Sequence, residues 1–371
     1  MKIAVVNTIM GQRILGYKEM LKIADLLASY GENVDVIYYM ANPQGVEEVK
    51  KYLKSANLIC LNVDSKKYNY IKYVVVQMYG GIADIAMLRF LRKGGYEAVI
   101  VVSSIGGWYL GLFLKLFMRH HRPLSILVPT DPPLGISLEF YITGKHNGLR
   151  ALKEDFFIIF QRFRISSFDI LFGQSKWTNG ILKNVFKVNP LGLAGAFDSD
   201  VFSVKEGSDK TEDKYIAVPT VALDQPRIEI VRKLHLDGIK MKIFGPIKTG
   251  IPEEEGYLDE EEMIDLIGRA SAVLFLFDYE GLGLIPFESL ALGTPVITEK
   301  KLGPGYELSD NPYVTFASTY DEILTACRKA LNSKLTYQER LNIRQTVTDR
   351  SFQEFAKMID ATIHSHFNHV E

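Results

Sequence analysis

A chain of 371 residues, 47% of them apolar and 23% charged, is too long for one ordinary α/β domain and too apolar for a disordered protein, so two globular domains are expected. Two distant cysteines, Cys60 and Cys327, exclude a disulfide framework and the paired spacing of a zinc site, and a reducing cytoplasm is the expected compartment. The formal net charge of −1 hides an asymmetry, because residues 1–200 hold 24 basic against 16 acidic side chains and the remainder 19 against 28. A basic first half suits an anionic acceptor or the cytoplasmic face of a membrane. Scattered lysines that merely keep a domain soluble would give the same count. Nucleic acid is not among the expected partners.

Residues 1–7 read as a first strand, without the small-residue cleavage site of a secretory signal. Residues 17–30 repeat apolar side chains at helical spacing through Met20, Leu21, Ile23, Ala24, Leu26 and Leu27, and Gly31 stops the helix. Strands follow at 34–39, 58–62, 98–102 and 125–129, with helical stretches between them. Residues 99–118 are almost wholly apolar, but Ser103-Ser104 and Gly106-Gly107 interrupt them. A membrane span needs about 20 unbroken apolar residues, so a buried strand and then a helix over 108–118 are expected instead. The run Phe156-Phe157-Ile158-Ile159-Phe160 with Arg162 and Arg164 suits either a membrane-surface helix or a buried core helix. Strands at 170–173 and 191–194 close this half.

The polar residues 205–214 are the best linker candidate. A second series of strands follows at 215–218, 241–244, 272–277, 295–298 and 313–316, and helical sequence covers 337–366. Alternating β and α segments predict an α/β protein of two Rossmann-like domains, each a doubly wound parallel sheet, facing across a cleft. The first domain is expected over 1–205, joined by 352–371 if the C-terminal helix packs back on it, and the second over 206–351. Ligands in such sheets bind beyond the carboxyl ends of the strands, here after Asn7, Val102, Pro129, Val218, Phe244 and Phe277.

The most informative run is Glu280-Gly281-Leu282-Gly283-Leu284-Ile285-Pro286-Phe287-Glu288-Ser289-Leu290-Ala291-Leu292-Gly293-Thr294-Pro295-Val296-Ile297. A strand delivers the chain to a glycine-rich turn, Pro286 suits the first position of a helix, and Gly293 ends it. Backbone N–H groups at 281–284 and at the helix start are then available to a phosphate or a sugar. Glu280 and Glu288 can each accept paired hydrogen bonds from vicinal hydroxyls. Taken alone, Glu288 would more readily be read as complementing the helix dipole.

This run resembles the E-x7-E segment of family 4 of the retaining glycosyltransferases, which have the GT-B fold and whose usual form is close to EGFGLPxxEAMAxGxPVI. The resemblance implies that Glu288 binds the nucleotide ribose, and that Glu280, Gly281, Leu282 and Gly283 contact the donor sugar and diphosphate. Further along the chain, Gly195-Ala196-Phe197-Asp198-Ser199-Asp200-Val201-Phe202 is similar to the family's NGVDxxxF segment. Phe244-Gly245-Pro246 resembles the glycine turn of the nucleotide domain, and Gly303-Pro304-Gly305-Tyr306-Glu307 a common glycine-rich turn with a glutamate.

The family's GR…K pattern, which neutralises the donor diphosphate, is missing. Thr220 stands where the arginine is expected, and Arg227 falls near the lysine, with Lys248 able to assist. In the first half, Thr130-Asp131 replaces a common His-Asp pair, and Asp131 is either the group that orients or deprotonates the acceptor or a plain turn residue. Gly11 is the remaining loop glycine near the N-terminus. Asp198-Ser199-Asp200 fits a metal-binding DxD pattern only weakly, and His364, His366 and His369 read as a frayed polar end, so no metal is expected.

The resemblance thus implies a metal-independent, retaining hexosyltransferase without a cofactor. It would use a UDP- or GDP-sugar donor and a glycan or lipid-linked acceptor, with peripheral membrane contact left open. A non-catalytic sugar-nucleotide-binding subunit and a GT-B sugar-nucleotide epimerase are the alternatives.

Overall fold

The computed structural model describes residues 1–7, 18–38, 43–61, 82–102, 109–118, 121–129, 149–206, 214–252 and 254–368. The chain divides into two compact units, Met1–Gly195 with Phe352–Glu371, and Ala196–Ser351.

The first unit is built on a seven-stranded parallel sheet of order β3-β2-β1-β4-β5-β6-β7. Its strands are β1 (Lys2–Asn7), β2 (Asn33–Tyr38), β3 (Asn57–Cys60), β4 (Ala98–Val102), β5 (Leu124–Val128), β6 (Ile170–Gly173) and β7 (Gly192–Leu193). The described helices are α1 (Lys18–Ser29), α2 (Pro43–Tyr52), α3 (Ile82–Gly94), α4 (Leu110–Phe117), α5 (Leu149–Ile165), α6 (Lys176–Asn184) and the returning α13 (Phe352–Asn368). β4 and β5 are buried at every position, which is why both read as unbroken apolar runs rather than alternating ones.

The second unit holds a six-stranded parallel sheet of order β10-β9-β8-β11-β12-β13. Its strands are β8 (Ile216–Pro219), β9 (Met241–Phe244), β10 (Glu254–Gly256), β11 (Ala272–Phe275), β12 (Val296–Thr298) and β13 (Val314–Phe316). The helices are α7 (Gln225–Leu236), α8 (Glu260–Arg269), α9 (Leu284–Ala291), α10 (Leu302–Glu307), α11 (Tyr320–Asn332) and α12 (Tyr337–Gln345). Ile216, Val218, Val231, Leu234, Leu274 and Ile323 lie at the centre of its core.

Four details differ from the sequence reading. The edge strand β10 was not expected, because Glu254-Glu255-Gly256 has neither β-branched residues nor alternation. The C-terminal helical sequence is not continuous. It breaks after Gln345, passes through a 3₁₀ turn at Thr348–Arg350 and resumes as α13 where the chain leaves the second unit. α13 contributes Phe352, Phe355, Ile359 and Ile363 to the core of the first unit. Residues 196–205 cluster with the second unit, because Ala196 donates to the Arg350 carbonyl and Arg344 donates to the carbonyls of Ser199 and Phe202. His364 is no frayed residue, since its exposed ring on α13 lies with Nε2 3.1 Å from Glu32 Oε1; His369 lies outside the described residues.

Candidate active site

In the second sheet the chain leaves β8 toward β9 and leaves β11 toward β12, on opposite sides. Such a reversal opens a crevice beyond the carboxyl ends of the two central strands. Four segments gather there: Thr220 after β8, the first turn of α7, the glycine turn at 276–283 after β11, and residues 299–301 after β12.

Gly283 caps α9 in the left-handed conformation, φ 77°, a backbone state that a side chain resists. The helix starts at Leu284, two residues before the Pro286 start expected. Pro286 remains within the first turn, where its missing N–H costs nothing, and Glu288 moves into the second turn. The turn is pressed against the start of α10. Gly303 donates to the Glu280 carbonyl at 3.1 Å, and a Cβ on Gly303 would fall 2.0 Å from the Gly281 carbonyl oxygen.

The amides of this turn are not open to an incoming anion, as the sequence reading has them. Glu280 Oε1 accepts from the N–H groups of Gly281 at 3.1 Å, Leu282 at 3.5 Å and Gly283 at 3.1 Å. The cause is local, since a carboxylate at the mouth of a bend reaches the donors that follow it. Two things remain free among the described residues: Glu280 Oε2, and the N–H groups of Leu284 and Ile285 at the start of α9. Burial raises the Glu280 pKa above its ordinary value and outweighs the three amides, which lower it.

Arg227 is not a solitary cation. Asp224 caps α7 and accepts from the Arg227 N–H. The guanidinium then reaches Asp224 Oδ2 at 2.6 Å and Asp278 Oδ1 at 3.5 Å. It also grips Glu299 with both arms, Nε to Oε2 at 3.2 Å and a terminal nitrogen to Oε1 at 3.3 Å. Lys301 Nζ approaches the same carboxylate at 3.4 Å and lies 5.0 Å over the Phe277 ring. Burial lowers the Arg227 pKa, but the bond to Glu299 and the charges of Glu299 and Asp224 outweigh it and raise the value. Two cations thus share three carboxylates, Asp224, Asp278 and Glu299.

Thr220 is buried and ties two strand ends together. Its N–H donates to the Phe244 carbonyl at 2.8 Å, and its Oγ1 accepts from Ile247 N–H at 3.1 Å. A Cβ on Gly245 would meet that Oγ1 at 2.7 Å, so Thr220 and Gly245 need each other's shape. Lys248 is exposed and points to Glu254, Nζ to Oε2 at 3.7 Å, on the β9–β10 side of the sheet. Glu288 is half-buried on α9. Asp131, Thr130 and Gly11 lie outside the described residues. Asp198 folds back to accept from the Asp200 N–H at 3.0 Å, the ordinary behaviour of a turn aspartate.

Behind the site, Arg350 forms a buried ion pair with Glu307 of α10 and sits 5.1 Å over the Phe287 ring of α9. Arg340, also buried, donates to the Gly293 and Ala270 carbonyls and to Thr294 Oγ1. These arginines fix the two ends of α9 from behind. Sequence reasoning missed Asp224, Asp278, Glu299 and Lys301. Asp224, two residues before Pro226 at a helix start, carried a readable capping signal; Glu299 and Lys301 had only their place after a strand.

Residues 255–348 match the family described as Glycosyl transferases group 1, a segment that contains the glycine turn, α9, Glu299 and Glu307. No protein of curated function matches the sequence. The chain is similar in structure to a sucrose-phosphate synthase from Thermosynechococcus elongatus, with a TM-score of 0.69, 13% identity and 99% of each chain covered. It is similar to WaaG, a glycosyltransferase involved in lipopolysaccharide biosynthesis, with a TM-score of 0.65, 13% identity, and 97% of this chain and 99% of that one covered. It is also similar to Anabaena HepE in complex with UDP-glucose, with a TM-score of 0.65, 11% identity, and 98% and 99% covered. The fold is that of the GT-B glycosyltransferases. Together the matched segment and the fold support sugar transfer.

Proposed function

We propose that the chain transfers a hexose from a nucleoside diphosphate sugar to a hydroxyl of a glycan or lipid-linked acceptor, with retention at the anomeric carbon and without a metal. The observation that carries this reading is the placement of Glu280 just before the α9 start and Glu288 within α9, inside the segment that matches the glycosyltransferase family. UDP-sugars are the first donors to test, since HepE was solved with UDP and with UDP-glucose.

In this reading Glu288 accepts from the ribose hydroxyls. Glu280, oriented through Oε1 by three amides, offers Oε2 to a hydroxyl of the donor sugar. The diphosphate lies at the N–H groups of Leu284 and Ile285, beside Arg227 and Lys301, which takes the place of the missing GR…K pattern. As the bond from the anomeric carbon to the diphosphate oxygen breaks, the electron pair leaves with the diphosphate, and these donors stabilise the charge. The acceptor oxygen forms the new bond on the same face, and its proton passes to the departing phosphate oxygen. Thr220 and Gly245 shape the floor beneath, and Lys248 screens the diphosphate from the β9–β10 side.

The test is transfer and donor-hydrolysis assays over UDP-, GDP- and ADP-sugars. Turnover with one donor class, abolished by Glu280→Ala, is expected. Binding of nucleotide sugar without turnover of any donor would overturn the enzymatic reading.

A further inference from the structure

Helix α5 presents an apolar stripe on the side away from the protein. Gln161, Arg164 and Ile165 face inward and are buried. Phe156, Ile159 and Phe163 lie within about 60° of one another on the opposite face, with exposures of 66%, 69% and 58%. On α4, Leu116 and Phe117 are 49% and 58% exposed. Every exposed phenylalanine among the described residues belongs to these two helices.

The two helices form one surface. A ladder of rings runs from Phe117 to Phe113 at 6.1 Å, to Tyr109 at 5.9 Å, across to Phe160 at 5.8 Å and on to Phe156 at 6.2 Å. Arg164 stacks beneath it, 4.1 Å over the Tyr109 ring, so the ladder rests on a rigid base.

Around the patch the cations that reach solvent outnumber the acidic side chains among the described residues. Among the described side chains of these two helices, Lys115 and Arg162 are the cations that reach solvent, Asp155 is the exposed acid, and Arg164 is buried beneath the rings. Among the described residues Lys115 and Arg162 have no acidic partner, while Arg122 pairs with Asp169. Exposed rings bordered by cations that lack an acidic partner suit a lipid surface, because rings enter the headgroup boundary while cations remain with the phosphates. No described helix is long and apolar enough to cross a membrane, so the contact is with a surface.

We propose that α4 and α5 dock the first unit on an anionic lipid bilayer, with Phe156, Ile159, Phe163 and Phe117 inserted at the headgroup level and Lys115 and Arg162 on lipid phosphates. This surface is independent of the donor site, so it stands or falls apart from the proposed transfer reaction.

The experiment is co-sedimentation of the full chain with phosphatidylcholine vesicles, with and without phosphatidylglycerol, at low and high salt. The wild type should partition to the phosphatidylglycerol vesicles, more weakly to phosphatidylcholine alone, and less at high salt. Ile159→Ser with Phe163→Ser should lower partition about tenfold or more on either vesicle. Lys115→Glu with Arg162→Glu should lower it on the anionic vesicles only. Circular dichroism and donor hydrolysis should be unchanged in both. The proposal is overturned if the wild type ignores phosphatidylglycerol vesicles, or if the serine variant partitions like the wild type. It is equally overturned if the serine substitutions instead abolish a self-association of the wild type seen by light scattering without vesicles, which would make the patch an interface between copies.

Discussion

Arg227 and Glu299, 72 positions apart, meet side by side through two hydrogen bonds of 3.2 and 3.3 Å at the carboxyl ends of β8 and β12. A guanidinium held in this way is oriented but already has a counter-ion, and Lys301 leans on the same carboxylate. A diphosphate arriving here competes with Glu299 for both cations. Glu299→Gln should therefore tighten nucleoside diphosphate binding several-fold, while Arg227→Ala should weaken it by about tenfold to a hundredfold. Calorimetric titration of both variants checks the sign; weaker binding by Glu299→Gln would mean that orientation outweighs the competition.

Burial raises the Glu280 pKa, so the folded state holds its proton more tightly than the unfolded chain. The linked stability is present at low pH and is lost as pH rises through the unfolded value toward the folded one. Glu280→Gln should accordingly raise the melting temperature at neutral pH, with the gain vanishing in acid, and should lower turnover. Thermal melts across pH measure this. A variant that is less stable at neutral pH would show that the three amide bonds outweigh the burial.

Much of this site was legible in the sequence, and the reason is geometric. The run from Glu280 to Ile297 fixes a turn, a helix and the next strand from contiguous residues, so its local structure follows from its own glycines and proline. What could not be read was pairing over long separations. Glu299 and Lys301 acquire meaning only when β12 sits beside β11 and brings them to Arg227. One oxygen of Glu280, Oε1, satisfies its own bend and leaves Oε2 for a ligand, because the nearest donors to a carboxylate in a turn are the amides after it. The alternation of strands and helices gave both sheets, but the short edge strand β10 and the break between α12 and α13 depend on tertiary contacts that no apolar pattern encodes.

The close approach of Gly303 to the Gly281 carbonyl leaves no room for a methyl group. Gly303→Ala should displace the turn, destabilise the second unit and impair donor binding. Gly268 on α8 has nothing within 4 Å of its position for a Cβ, and Gly268→Ala should be neutral or stabilising by about 0.5–1 kcal/mol. Denaturant melts with nucleotide titration separate the two. Equal behaviour would deny the turn its packed state.

The buried Glu307–Arg350 pair holds α10 to the turn that leads out of the second unit. Removing Glu307 takes from the buried Arg350 the carboxylate it is ion-paired with, so Glu307→Ala should cost about 3–5 kcal/mol of stability. Equilibrium unfolding of the second unit's signal checks this. A loss below about 1 kcal/mol would place the pair among weak surface bridges.

The proposed separate tasks of Glu288 and Glu280 beside one nucleotide sugar are tested by a single titration series. Nucleoside diphosphates and their sugars should be titrated into the wild type, Glu288→Ala and Glu280→Ala, with turnover measured on the same samples. The prediction is that Glu288→Ala weakens the bare nucleoside diphosphate and its sugar alike by about tenfold, whereas Glu280→Ala leaves the bare diphosphate unaffected and abolishes turnover. Wild-type affinity and turnover in both variants would contradict the account.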